Sequence, residues 1–197
     1  MEGLLFIWLS WIAIIIIVFF LQPKVPMVIV YHLLIIICLS SYQIPYVFGD
    51  VTWSSVYITL ITIFYIGKEA FKTKINIVCI SFIMALCKAT YDIFSAVEPL
   101  WFMLLPSWFS GVILFYLSLL MMDSNRHRMQ SLVMGMVISE CFIYFAFTKS
   151  GLSYSLFNLI WLDHLAFVCM LLSVWSSIQF ISKYFSDSTK QIHKKEV

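Results

Sequence analysis

The chain has 197 residues, of which 62% are hydrophobic and 11% charged, with a net charge of +2 and a mean hydropathy of +0.99. Soluble domains carry about 25% charged residues, so this sequence has too few to cover a water-facing surface. That excludes a soluble enzyme or a nucleic-acid-binding module and points to an all-α, polytopic membrane helix bundle.

Apolar runs separated by short polar breaks predict seven transmembrane helices at 3–21, 26–44, 51–67, 75–94, 104–122, 129–148 and 158–182. The first run is preceded by Glu2 alone, with no basic n-region and no small-x-small cleavage site, so it reads as a retained span. Pro23 and Pro26 flank the turn that carries Lys24, and Pro45 ends the second run. The third run is short and hydroxyl-rich, with Thr52, Ser55, Thr59 and Thr62 at helical spacing. In the fourth, Ser81, Ala85, Lys88 and Asp92 share a face. The segment SAVEPLWFMLLP then reaches Pro106, is too short to span, and reads as a short interfacial helix. The fifth run places Ser107, Gly111, Leu114 and Ser118 on one stripe, and Gly111 and Ala85 are candidate close-approach points between helices.

The sixth run contains Glu140, and the seventh contains Asp163 and His164 near its start. The tail is polar, with four lysines and no apolar stripe long enough for a stable helix. Residues 1–182 thus form a single seven-helix transmembrane domain, and 183–197 a basic cytoplasmic tail held loosely at the membrane surface.

Orientation follows from charge. With the N-terminus outside, the inner breaks and tail hold Lys24, Lys68, Lys72, Lys74, Arg126, Arg128, Lys183, Lys190, Lys194 and Lys195, and the outer breaks hold only Lys149. Basic residues accumulate in cytoplasmic loops, so the C-terminus is cytoplasmic. Trp8, Trp11, Trp53, Trp101, Trp108 and Trp161 all fall near outer ends, in the zone that indole rings favour.

Ionisable residues inside spans cost about 2.5–3.5 kcal/mol each on insertion scales and usually face a partner or a wet cavity. Lys88, Asp92, Glu140, Asp163 and His164 all fall in the outer half of the bundle, where three helices can gather them into one buried polar cluster. Lys88 can pair with Asp92 four residues on, or bridge to Glu140 or Asp163 across helices. Against this stand a snorkelling Lys88 and a hydrated Asp163–His164 pair at a helix start.

Cys38, Cys79, Cys87, Cys141 and Cys169 sit in apolar runs without a CxxC pair and read as packing residues. No histidine shares a ligand spacing with another His or Cys, so no metal and no cofactor is assigned. HExxH, GxSxG and phosphate-loop signatures are absent.

With its opening MEGLLFIWLSW, its length near 200 residues, its compact multi-span layout and its basic inner tail, the chain resembles the YphA-like family of small bacterial integral membrane proteins. The resemblance implies a bacterial plasma membrane location, multi-pass, and no site residues. Three functions are consistent with these features. A non-enzymatic accessory or structural protein would work by association with other membrane proteins or with itself, the lipid bilayer being its other partner. A small transporter or permease subunit would use Lys88, Glu140 and Asp163 as a polar path. A lipid-directed enzyme would use Asp92, Asp163 and His164, although adjacent helix positions diverge by about 100°. The reading leans toward the first and away from an enzyme.

Overall fold

The computed structural model describes residues 3–20, 27–46, 49–98, 100, 108–151 and 154–195. The expected turn at Pro23 and Pro26, and the interfacial segment around Trp101 and Pro106, lie outside the described residues. Within them the chain forms seven helices: α1 (Leu4–Phe20), α2 (Met27–Ser40), α3 (Trp53–Gly67), α4 (Phe71–Val97), α5 (Phe109–Met121), α6 (Asn125–Lys149) and α7 (Leu159–Lys195).

Three of these helices, through Phe71–Val97, Asn125–Lys149 and Leu159–Lys183, are long and apolar enough to cross a membrane. The other four are shorter; α2 has 14 residues and α5 has 13, about 20 Å at the helical rise.

Several helix ends shift by a few residues from the sequence expectation, and two differences change the architecture. The second helix stops at Ser40, because the next residues form an antiparallel hairpin of β1 (Gln43–Tyr46) and β2 (Gly49–Thr52). Pro45 lies opposite Asp50 in that hairpin, which a two-stranded sheet tolerates because both strands are edges. At the other end, α7 runs on through Lys195 instead of stopping near residue 182. No Gly or Pro interrupts SKYFSDSTKQIHKK. Extending an existing helix needs no new nucleus.

Apolar side chains lie on the outside of the bundle as well as in its core. Leu60, Phe64, Leu120, Phe145 and Ile178 are exposed on its outside, while Ser54, Ser55, Ser81, Ser118, Ser131 and Ser139 are buried. Lipid offers apolar side chains the same surroundings as a protein core, so the interior mixes an apolar core, including Met84, Leu132, Met136 and Trp161, with small and hydrogen-bonding groups that let helices approach closely. The α6 helix occupies the centre, contacting α3, α4, α5 and α7, and its most extensive partner is α4.

The α4–α6 contact is close because its residues are small. A Cβ on Gly135 would lie 2.9 Å from Cβ of Met84 and 3.0 Å from the Ser81 carbonyl oxygen. One step away, Ser81 Oγ lies 2.7 Å from its own helix's Ile77 carbonyl and 3.0 Å from the Ser131 carbonyl of α6. Gly111 plays the same part between α5 and α7, where an added Cβ would meet Val168 Cγ2 at 2.9 Å. Gly111 therefore seals a seam within the chain, and Ala85 of α4 is likewise buried.

Contacts collect the helix ends into two layers. The start of α1 meets the start of α7, where Asp163 accepts backbone hydrogen bonds from Gly3 at 2.8 Å and Phe6 at 2.7 Å. Gly3 sits at φ 83°, a left-handed conformation that glycine adopts without a Cβ penalty. Near this layer the start of α3 is tied in as well, since Thr52 donates to the Phe157 carbonyl through its hydroxyl at 3.0 Å. The opposite layer joins the α3–α4 turn to the start of α6 through Glu69 and Arg126, 2.7 Å apart. There Arg128, although buried, donates from Nε to the Met122 carbonyl at the end of α5 at 2.6 Å, where a cation complements the dipole.

Replacing Gly135 with valine forces α4 and α6 apart. It is expected to lower stability by about 1–3 kcal/mol, the range for overpacked sites. Gly67→Ala, at a site with nothing within 4 Å of the added carbon, is the matched control. Melting of the detergent-solubilised chain, followed by intrinsic tryptophan fluorescence, should separate the two.

Candidate functional site

Near the end of α4, one helical turn places Lys88 and Asp92 on the same side, and Lys88 Nζ lies 2.6 Å from Asp92 Oδ2. The close α4–α6 approach brings Glu140 of α6 opposite, with its Oε1 3.6 Å from the same ammonium. Lys88 is 3% exposed and Glu140 2%, whereas Asp92 retains 25% exposure. The cation is thus enclosed between a buried acid and one at the rim.

Glu140 is further engaged by the connection between α6 and α7. Its Oε2 accepts the Tyr154 hydroxyl at 3.0 Å, and the carboxylate also accepts the Phe157 backbone N–H. Burial, together with the neighbouring Glu140 carboxylate, pushes the Tyr154 phenol above its ordinary range, so it remains a neutral donor. Phe157 has φ 53°, an uncommon conformation for a residue with a side chain. It is held from several directions: its N–H by Glu140, its carbonyl by Thr52, and its ring edge-on against Trp161 at 5.3 Å. Over-determination of this kind is what lets a strained backbone persist.

Asp163 and His164 take other roles. Both oxygens of Asp163 are occupied by the first N–H groups of α1, so the acid satisfies donors that the helix cannot satisfy itself. Among the described residues no ion pair joins Asp163 to Lys88. His164 lies within electrostatic reach of Lys88, Asp92 and Asp163 and has no hydrogen-bond partner among the described residues. Lys88, Asp92 and Glu140 therefore form one contact set, while Asp163 and His164 line a separate open cleft of about 490 Å³ with Leu5, Trp108, Ile160 and Phe167.

A second polar cluster closes the opposite layer. Glu69 lies 2.7 Å from Arg126 and 3.7 Å from His127, and accepts the Gln130 amide at 3.4 Å. Glu69 stands in a basic break beside Lys68, Lys72 and Lys74, which conceals its role in the sequence. Tyr154 and Phe157 carry no sequence signal either, since a loop residue has no period to mark its direction.

The chemical capacity of the Lys88 set is electrostatic. Its opposite charges face one another, and the Asp163 carboxylate is engaged with α1 backbone instead of activating His164. Among the described residues no three of His, Cys, Asp or Glu gather in a metal-binding arrangement.

A family model described as YphA-like integral membrane protein matches residues 2–197. No curated protein matches the chain, and no solved structure does.

Removing one partner of a buried pair leaves the other uncompensated, at a cost of about 3–5 kcal/mol. Lys88→Met is accordingly expected to deplete folded protein from the membrane, and Lys88→Met combined with Glu140→Met to recover part of the loss. Size-exclusion profiles of a fluorescent fusion after graded heating would show the order wild type, double variant, single variant.

Proposed function

The chain belongs to the YphA-like integral membrane proteins, and from that premise we propose that it is a non-enzymatic accessory protein of the bacterial plasma membrane. It acts by associating with other membrane proteins or with a second copy of itself. The observation that carries this reading is the enclosure of Glu140 by Lys88, Tyr154 and the Phe157 N–H. An acid serving a transport path must exchange its partners with water or solute during each cycle, whereas this one is bound on every side by its own chain. Asp163, which the transporter reading needs beside Lys88, is engaged at the start of α1.

The same proposal has all seven helices crossing, with the amino end outside and the basic end, from Lys183 onward, in the cytoplasm. Its support is the ten-to-one distribution of Lys and Arg between breaks and the two layers of helix ends. Helix starts α1, α3 and α7 lie on one side, and the α3–α4 turn meets the start of α6 on the other, as alternating crossings require.

The surface available for association is the exposed outside of the bundle, which includes Cys38 on α2, Cys79 and Cys87 on α4, and Cys141 on α6. Mild oxidation of native membranes is expected to give a disulfide-linked species that disappears when one of these cysteines is replaced by serine. Proteoliposomes should also hold an imposed proton gradient as well as protein-free vesicles do. Dissipation of the gradient by the wild type, abolished in Glu140→Gln at unchanged protein level, would replace the accessory reading with the transporter one. Reporter fusions giving both ends the same sidedness would overturn the seven-crossing layout.

A further inference from the structure

The cleft at the starts of α1, α5 and α7 opens to the outside of the bundle, where Leu5 is 45% exposed, Ile160 42% and Trp108 51%. At about 490 Å³ it falls within the size range of small-molecule sites, which combine apolar walls with a few fixed polar groups. Its polar groups are the Asp163 carboxylate and the His164 ring. Trp108 and Phe167 stand beside them as an aromatic pair, with centroids 6.4 Å apart and planes at 60°.

We propose that this cleft binds the primary ammonium headgroup of a phospholipid, whose acyl chain lies along Leu5 and Ile160. A carboxylate has about four acceptor sites on its two oxygens, so the two backbone bonds from α1 leave Asp163 able to accept an ammonium N–H. The faces of Trp108 and Phe167 attract a cation through their quadrupoles. His164, without a hydrogen-bond partner among the described residues, offers a ring nitrogen as a further acceptor. A headgroup that is anionic and lacks an amine would bring like charge to Asp163, while the Lys88 and Asp92 charges that also reach His164 are paired with each other and largely cancel. The apolar walls fit a methylene chain, and the acid and aromatics select the cation.

The proposal needs the chain to be embedded in a membrane and is independent of whether the protein acts by association or transport. The full chain would be reconstituted in nanodiscs of equimolar phosphatidylethanolamine and phosphatidylglycerol, and its retained lipids counted by native mass spectrometry. One weak ion pair and one cation–π contact together correspond to about a tenfold preference for phosphatidylethanolamine. Asp163→Asn should reduce the preference to about parity. Because Asp163 also holds the start of α1, Ile160→Trp provides a second arm. It fills the mouth of the cleft without altering the carboxylate, and should remove the retained lipid while melting stays at the wild-type temperature. Equal retention of the two lipids by the wild type, a preference for phosphatidylglycerol, or a preference that survives Ile160→Trp would each overturn the proposal.

Discussion

The close crossing of α4 and α6 is the constraint from which the other arrangements follow. Helices in lipid gain nothing from hiding apolar surface, so they hold together by close van der Waals contact and hydrogen bonds. Gly135 permits the approach, and the Ser81 hydroxyl reaches across to the Ser131 carbonyl. At that separation Glu140 faces an ammonium that begins on the neighbouring helix, and that ammonium offsets the cost of burying its charge. Steric and electrostatic fit are therefore two aspects of one contact. Moving α6 by the width of a methyl group would leave the ions facing a gap.

From this contact the structure extends in both directions along α6. Toward one end, Glu140 holds the Tyr154 and Phe157 connection, which in turn receives Thr52 at the start of α3. Toward the other, Arg126 and Gln130 hold Glu69, while Arg128 ties the end of α5 to the first turn of α6. The most polar of the long helices is thus the most connected. This is the pattern expected when lipid gives helices no reason to hide apolar surface and polar contacts help to hold them together.

The sequence displays those features that a helical period can encode. Ser81, Ala85 and Lys88 recur on one face of α4, and this is the face that meets α6. Glu140 is conspicuous because a charge in an apolar run is costly. The hairpin is less visible, because QIPY and GDVT are short segments at the edges of apolar runs, where helical and extended patterns overlap. Tyr154 lies 14 residues from the acid it contacts, in a loop without periodicity. The role of Asp163 depends on backbone groups 160 residues earlier, so no local pattern could distinguish a capping acid from one lining a path. The length of α7 was concealed by polarity, which marks where a helix leaves lipid but does not make it stop.

The Asp163 clamp on α1 also bears on biosynthesis. At a translation rate of about 5–20 residues per second, the 160 residues separating Gly3 from Asp163 represent roughly ten to thirty seconds of synthesis. Throughout that interval the leading turn of α1 has been made and its acceptor has not, so its amide groups must rely on water, headgroups or the insertion machinery. The earliest helix is thus fastened by the latest, and the bundle closes as a ring in time as well as in space.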